Sequence, residues 1–324
     1  MKEQIISEIN QTIYETFNRN EVLNEDPILR EMVLYSLAFT PDGKLLSGGK
    51  RLRPLFCCLS CGLLCGDHKK ALPYAAGLEM LHNFTLIHDD IEDNGDTRHN
   101  RPAVWKKYGM AQGLNAGDLL YEIALQTEAE AGGDALKRTM KMSSELFLGQ
   151  HRDISFQGRE TVTEADYFQM IHGKTGVLLG LSFALGAVAA GRDASEIEDF
   201  NALGEKLGLA FQIRDDYLGT WGKAETLGKS VRGDIMEKKN TLAVVYAVGK
   251  DAEFRTRWNA YDGNAGDAEW FAERMTALGA PEYLSEKCAF YTEQAESLLT
   301  KYRVDSPYWN ELDQLAGSLL TREK

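Results

Sequence analysis

The stretch Phe200–Trp221, FNALGEKLGLAFQIRDDYLGTW, decides the fold class. Its apolar residues Phe200, Leu203, Leu207, Ala210, Ile213, Tyr217 and Trp221 recur in steps of three and four, the period of an α-helix with one buried face. Tyr167–Val188, YFQMIHGKTGVLLGLSFALGAV, has the same period, and no proline interrupts the chain between Pro102 and Pro281. Alternating apolar and polar runs bounded by turn residues are scarce. Breaks fall at Gly-rich or polar points such as LLSGGK, EAGGDA, AGRDAS, GKAETLGKSVRGD and YDGNAGD. The expectation is an all-α helical bundle of roughly ten or more helices joined by short loops. No fixed-period repeat, low-complexity tract or linker divides the chain, so residues 1–324 are expected to form one domain. The charged, Gly-rich part from Asp251 to Gly279 reads as peripheral helix and loop.

Composition narrows the class. Of 324 residues 44% are apolar, ample for a buried core, and the formal net charge is −13. With no dense basic tract, that charge argues against nucleic acid as a partner. Anionic substrates stay open wherever metal ions or local Lys and Arg reverse the field. The start, MKEQIISEINQTIYETF, reads as an amphipathic helix and not as a secretory signal. The longest uncharged run, Gly176–Gly191, is short for a membrane span, so a cytosolic protein without a transmembrane segment is expected. Cys57, Cys58, Cys61 and Cys65 cluster, and Cys57, Cys61 and Cys65 stack on one helical face. A tetrahedral metal site usually draws a second ligand pair from another segment, and Cys288 is alone, so core packing is the better reading.

Five of the nine residues in His88–Asp96, HDDIEDNGD, are acids. Asp90, Glu92, Asn94 and Gly95 approach the start of a calcium loop, but the twelfth position is Arg101, where a bidentate Glu is needed. A histidine–aspartate phosphohydrolase would need further His ligands, and the chain has six His in all. A solvated acidic face is the bland alternative, yet these acids follow the apolar helical segment LEMLHNFTLI. On a helix Asp89 and Asp93 share one face, with Asp90 and Glu92 turned away. Two such carboxylates suit Mg²⁺, which completes its octahedron with water and phosphate oxygens. A second acidic pair, Asp215–Asp216, also follows a helical apolar stretch, and two acidic helix walls across a cleft would clamp a diphosphate through Mg²⁺. Basic residues mark where phosphates go: Lys50, Arg51 and Arg53 in GGKRLRP, Lys174 in KTG, Lys229 in TLGKS and Lys239 in DIMEKKNT.

The motifs GGKRLRP, LIHDDIED, KTG, FQIRDD, GKS and GDIMEKK, in that order from Gly48 to Leu242, resemble the trans-isoprenyl diphosphate synthases, the polyprenyl synthetase family. The resemblance implies an all-α bundle around a deep central cavity, and usually a homodimer. The implied reaction is the Mg²⁺-dependent, head-to-tail condensation of isopentenyl diphosphate with an allylic diphosphate. Carried over by motif, Asp89, Asp93 and Asp215 hold the Mg²⁺ ions, three of them with substrate bound. Lys174, Lys229, Lys239 and Arg98 grip the allylic diphosphate, while Lys50, Arg53 and His82 bind isopentenyl diphosphate. Thr175 and Gln212 present oxygen to a transient carbocation, and released diphosphate takes the final proton.

This chain departs from the common pattern at several positions. Most members read R-R-G-x-P after the first acidic motif, whereas here Arg98-His99-Asn100-Arg101-Pro102 stands. His99 replaces an arginine that touches isopentenyl diphosphate, and Arg101 is the candidate to reach in instead. Trp105 stands where many members have His, and Gly219 replaces the last Asp of the second motif, as in a bacterial branch of the family. Resemblance also makes Phe84 and Thr85 the floor that sets product length, with Leu81 and Met80 one turn deeper. One Phe with one Thr points to a stop at twenty carbons, geranylgeranyl diphosphate. The alternatives are a class I terpene cyclase, which normally carries an N-D-x-x-S-x-x-x-E second motif, and a non-catalytic partner subunit, in which eroded carboxylates are expected.

Overall fold

The computed structural model describes residues 1–46, 49–157, 159–222 and 232–320. These are helical nearly throughout, as the periodicity predicts; the described strands are a short antiparallel hairpin pairing Thr97–Arg98 with Arg101–Pro102. The chain divides into two compact units. The first comprises Met1–Lys141, Leu181–Glu198 and Asp305–Leu312; the second comprises Met142–Gly180, Asp199–Val304 and Asp313–Lys324.

In the first unit, helix Lys2–Arg19 buries Ile5, Ile9, Ile13 and Phe17, a stripe at every fourth residue. Helix Leu52–Cys65 is buried almost all round and stacks Phe56 on Phe183 at 4.7 Å. Cys57, Cys58 and Cys61 are buried free thiols within it, so the cysteine cluster is core. Burial pushes the Cys57, Cys58 and Cys61 thiols well up, which keeps them protonated.

The long helices Leu72–Glu92 and Met110–Ala131 run antiparallel with a regular register. Ile91 meets Gly113, His88 meets Gly117, Phe84 packs at a tilt against Tyr121, Glu128 lies over Gly77, and the Tyr74 hydroxyl donates to the Ala131 carbonyl. At the Ile91, His88 and Glu128 layers a bulky side chain faces a glycine, which lets the two backbones approach along their length.

The second unit contains the described part of helix Ala194–Trp221 from Asp199 onward. It is contacted closely at glycines: a Cβ on Gly204 would lie 2.7 Å from the Gly180 Cα, and one on Gly208 would lie 2.8 Å from the Gly176 Cα. Both pairs are four residues apart, so the glycines of the apolar run serve helix contact. The expectation of a peripheral segment from Asp251 to Gly279 is corrected by the structure. Helices Ala252–Ala260 and Ala265–Ala277 bury Phe254, Trp258 and Phe271, whose rings interlock at 5.2 Å to 6.1 Å and build the aromatic core of this unit. Charge and glycine content masked a stripe of aromatic residues. Glu164–Ala189 is long and apolar enough to cross a membrane, but its most apolar window is 83% buried inside the protein.

Candidate active site

Asp89 lies in the last turn of helix Leu72–Glu92, and Asp93 caps it, its backbone N–H donating to the Asp89 carbonyl at 2.8 Å. The carbonyl end of a helix carries partial negative charge, so carboxylates there are disfavoured unless a cation joins them. Asp90, expected to face away, is buried. Its carboxylate accepts from the Arg98 guanidinium, Oδ1 from Nη2 at 2.5 Å and from Nε at 3.1 Å, and Oδ2 from Nε at 3.2 Å. Burial pushes the Asp90 carboxyl up, and Arg98 opposes that shift. Arg98, expected to grip a diphosphate, therefore spends part of its guanidinium on fixing the acidic motif. Trp105 Nε1 donates to the Gly95 carbonyl at 2.8 Å, which fastens the loop beyond the helix.

The hairpin turn explains the unusual Arg98–Arg101 sequence. His99 and Asn100 both have positive φ, 51° and 60°, as the two central positions of a type I′ turn require. Asn tolerates that conformation well, and His more than most residues do. The His99 ring lies beside Gly49, next to Lys50. Burial, with Arg98 and Arg101 nearby, holds its imidazole below the usual range, so it is neutral. Arg101 stacks over Tyr35 at 4.6 Å, and its buried Nε and Nη1 have no protein hydrogen-bond partner.

GGKRLRP separates its basic groups by role. Arg51 is buried against Glu79 at 2.5 Å and donates to the Leu37 carbonyl, which makes it structural. Lys50 is exposed. Arg53 Nη1 lies 3.0 Å from His82 Nε2. Arginine can only donate, so His82 Nε2 accepts and its proton sits on Nδ1. Burial, reinforced by Arg53, holds the His82 imidazole well below its usual value, and burial lowers the Arg53 guanidinium to about 10. Arg53 Nε and His82 Nδ1 are buried donors without a protein partner, the arrangement an anion would satisfy. Because folding keeps His82 neutral, protonation favours the unfolded chain. Stability should therefore fall as pH drops below about 6.5, by up to about 1.4 kcal/mol per pH unit. In urea titrations, His82→Gln should flatten that slope.

On the same helix Phe84 is buried, its ring 4.7 Å from His88 and 5.0 Å from Tyr121. Thr85 donates to the His82 carbonyl at 2.7 Å, and Leu81 and Met80 are buried one turn away. Tyr121 escaped the sequence reading because it lies on another helix, 37 residues on.

In the second unit a five-residue π turn, His172–Gly176, carries Lys174 and Thr175. Gly173 lies against Gly149, where a Cβ would come 2.7 Å from the Gly149 Cα. Lys174 Nζ pairs with Asp153 at 2.5 Å. Thr175 Oγ1 donates to Gln212 Oε1 at 2.8 Å, bringing together the two residues expected to act on the cation. Gln212 Nε2 then donates to Asp216 Oδ1 at 3.1 Å. Asp216 Oδ2 accepts from the Tyr167 hydroxyl at 2.7 Å and the Leu242 N–H at 2.9 Å. Burial pushes the Asp216 carboxyl up to about 7 against these three donors. Asp216 therefore anchors Gln212, while Asp215, about 100° further round the helix, is exposed. Lys239 pairs with Glu237 at 2.6 Å. Lys229 lies outside the described residues.

Gly219 also finds its reason. A Cβ there would collide with the Asp234 carboxylate, so a carboxylate from GDIMEKK occupies the place of the side chain that Gly219 lacks. The sequence reading missed Asp234 because it is 15 residues away. Among the described residues, no three His, Cys, Asp or Glu side chains converge on a metal position. Paired hard oxygen donors at a helix end fit Mg²⁺, which takes few protein carboxylates and leaves places for water and phosphate.

An acidic helix end and buried basic donors without a protein partner, both in the first unit, suit a protein that handles anionic substrates. A family model described as polyprenyl synthetase matches residues 40–274. The geranylgeranyl pyrophosphate synthase of Geoglobus acetivorans is 33% identical over 314 residues, covering 94% of this chain and 98% of that one. The (2E,6E)-farnesyl diphosphate synthase of Mycobacterium bovis is 32% identical over 313 residues, covering 92% and 87%. The crystal structure of geranylgeranyl pyrophosphate synthetase from Pyrococcus horikoshii superposes with a TM-score of 0.88 at 30% identity, covering 99% and 98%. The chain belongs to the polyprenyl synthetase family.

Proposed function

We propose that this trans-prenyltransferase condenses isopentenyl diphosphate head-to-tail with an allylic diphosphate. The observation that carries the reading is the face shared by His82, Asp89 and Asp93 on one helix. Seven residues separate His82 from Asp89, about 10 Å, so an anion-binding pair and a metal-binding pair are offset along one wall. Lys50, Arg53 and His82 bind the isopentenyl diphosphate, with the proton on His82 Nδ1 as donor. Lys174, Lys239, Lys229 and Arg98 receive the allylic diphosphate. Asp89, Asp93 and Asp215 are the proposed ligands for Mg²⁺, three ions with substrate bound, which supplies charge neutralisation for the leaving diphosphate. Thr175 and Gln212 direct oxygen lone pairs toward the allylic cation, and their mutual hydrogen bond and Asp216 hold both in orientation. The π electrons of isopentenyl diphosphate form the new C–C bond, and the departing diphosphate takes the proton released from the product cation.

The product is geranylgeranyl diphosphate, with Phe84 as floor, Thr85 beside it and Leu81 one turn deeper. The buried Phe84 ring beside His88 and Tyr121 supports this, because one helical turn rises about 5.4 Å, close to one isoprene unit, so the turn that carries the bulky residue sets the stop. Phe84→Ala should lengthen the product by at least one isoprene unit, and an unchanged length by mass spectrometry rejects the floor. The chain is proposed to be one functional domain and a cytosolic homodimer. Exposed apolar residues of the first unit support the dimer: Met110 and Leu114, one turn apart on helix Met110–Ala131. Incubation with Mg²⁺, isopentenyl diphosphate and primers of several lengths tests the reading. Condensation separates it from a cyclase or a non-catalytic subunit, and its absence with every primer overturns it.

A further inference from the structure

We propose that Glu128 is a second limit on product length, two helical turns beyond the Phe84–Tyr121 layer. This rests on the reading of Phe84 as the first floor. The register of the two antiparallel helices fixes the position: Phe84 faces Tyr121, and seven residues further along each helix Gly77 faces Glu128. Seven helical residues span about 10 Å, the length of about two isoprene units.

Glu128 is 1% exposed, and neither side-chain oxygen has a protein hydrogen-bond partner. Burial pushes its carboxyl well up, against the charged form. The side chain folds over Gly77, where a Cβ would come 2.5 Å from Oε1. The Tyr74 hydroxyl donates to the Ala131 carbonyl and not to Glu128. A buried carboxyl without a partner is costly, and an apolar residue at this layer would fill the same space at lower cost. What the carboxyl adds is a polar, bulky end wall. A hydrocarbon tail that passes Phe84 and Leu81 meets a group it can neither displace into water nor solvate.

The products of the wild type, Phe84→Ala, Phe84→Ala/Glu128→Ala and Phe84→Ala/Glu128→Gln are sized by mass spectrometry with the full-length protein. Phe84→Ala should end sharply about two isoprene units past the wild type. Adding Glu128→Ala should move that end point by at least one further unit, and adding Glu128→Gln should leave it in place. Equal end points for Phe84→Ala and Phe84→Ala/Glu128→Ala overturn the proposal, and so does a product series from Phe84→Ala that runs well past two units. The second criterion stands even where the double variant fails to fold. No condensation by the wild type overturns the functional reading and this proposal together, whereas equal end points in active variants overturn this proposal alone.

Discussion

Replacing Asp89 with Asn should lower kcat/KM for condensation by about 10³-fold, the effect expected when a group that stabilises a leaving diphosphate through metal is lost. The change keeps shape and removes charge. Asp89 differs from its neighbour: Asp90 is buried under Arg98, whereas Asp89 is partly exposed at the helix end. The loss should therefore appear as a raised Mg²⁺ requirement together with a lowered kcat. Asp90→Asn should instead weaken the Arg98 hairpin and lower the unfolding temperature. Near-wild-type turnover by Asp89→Asn at limiting Mg²⁺ would remove Asp89 from the metal set.

Asp216→Ala should destabilise the protein by about 3–5 kcal/mol, measured by urea unfolding. The substitution leaves the buried Tyr167 hydroxyl and Leu242 N–H without an acceptor, each worth about 1–3 kcal/mol, and opens a cavity. Tyr167→Phe removes a single bond and should cost only about 1 kcal/mol. Gln212 also loses its anchor, so turnover should fall more than the folded fraction does. A cost for Asp216→Ala near that of Tyr167→Phe would mean that Asp216 does not organise this region.

The sequence made the helices legible because period and the lack of proline act locally, and the acidic and basic motifs were legible because their residues are close in number. Pairing across the fold was not. Asp90 and Asp216 sit beside the proposed metal ligands in sequence, yet each is buried and bonded to a partner that no spacing rule supplies, Arg98 in a hairpin and Tyr167 49 residues away. Glu128 lies in TEAEA, a run that looks like solvated surface, and only the facing Gly77 reveals it as core. The same holds for Phe254, Trp258 and Phe271, hidden among charges and glycines. Gly219 reads in the sequence only as a replaced Asp, and the carboxylate that fills its place comes from Asp234, 15 residues on.

The π turn at His172–Gly176 behaves as an insertion kept in place. It takes up one residue more than an ordinary helical turn, and the helix that follows, Val177–Ala189, resumes its normal winding. Deleting one residue would collapse the π turn into an ordinary helical turn, leave the helix that follows in phase, and re-aim Lys174 and Thr175 instead. Point substitutions of Lys174 or Thr175 alter one side chain each, but the number of residues in this turn is itself a constraint. Length variation among workable versions of this chain should therefore accumulate in its loops and be refused here.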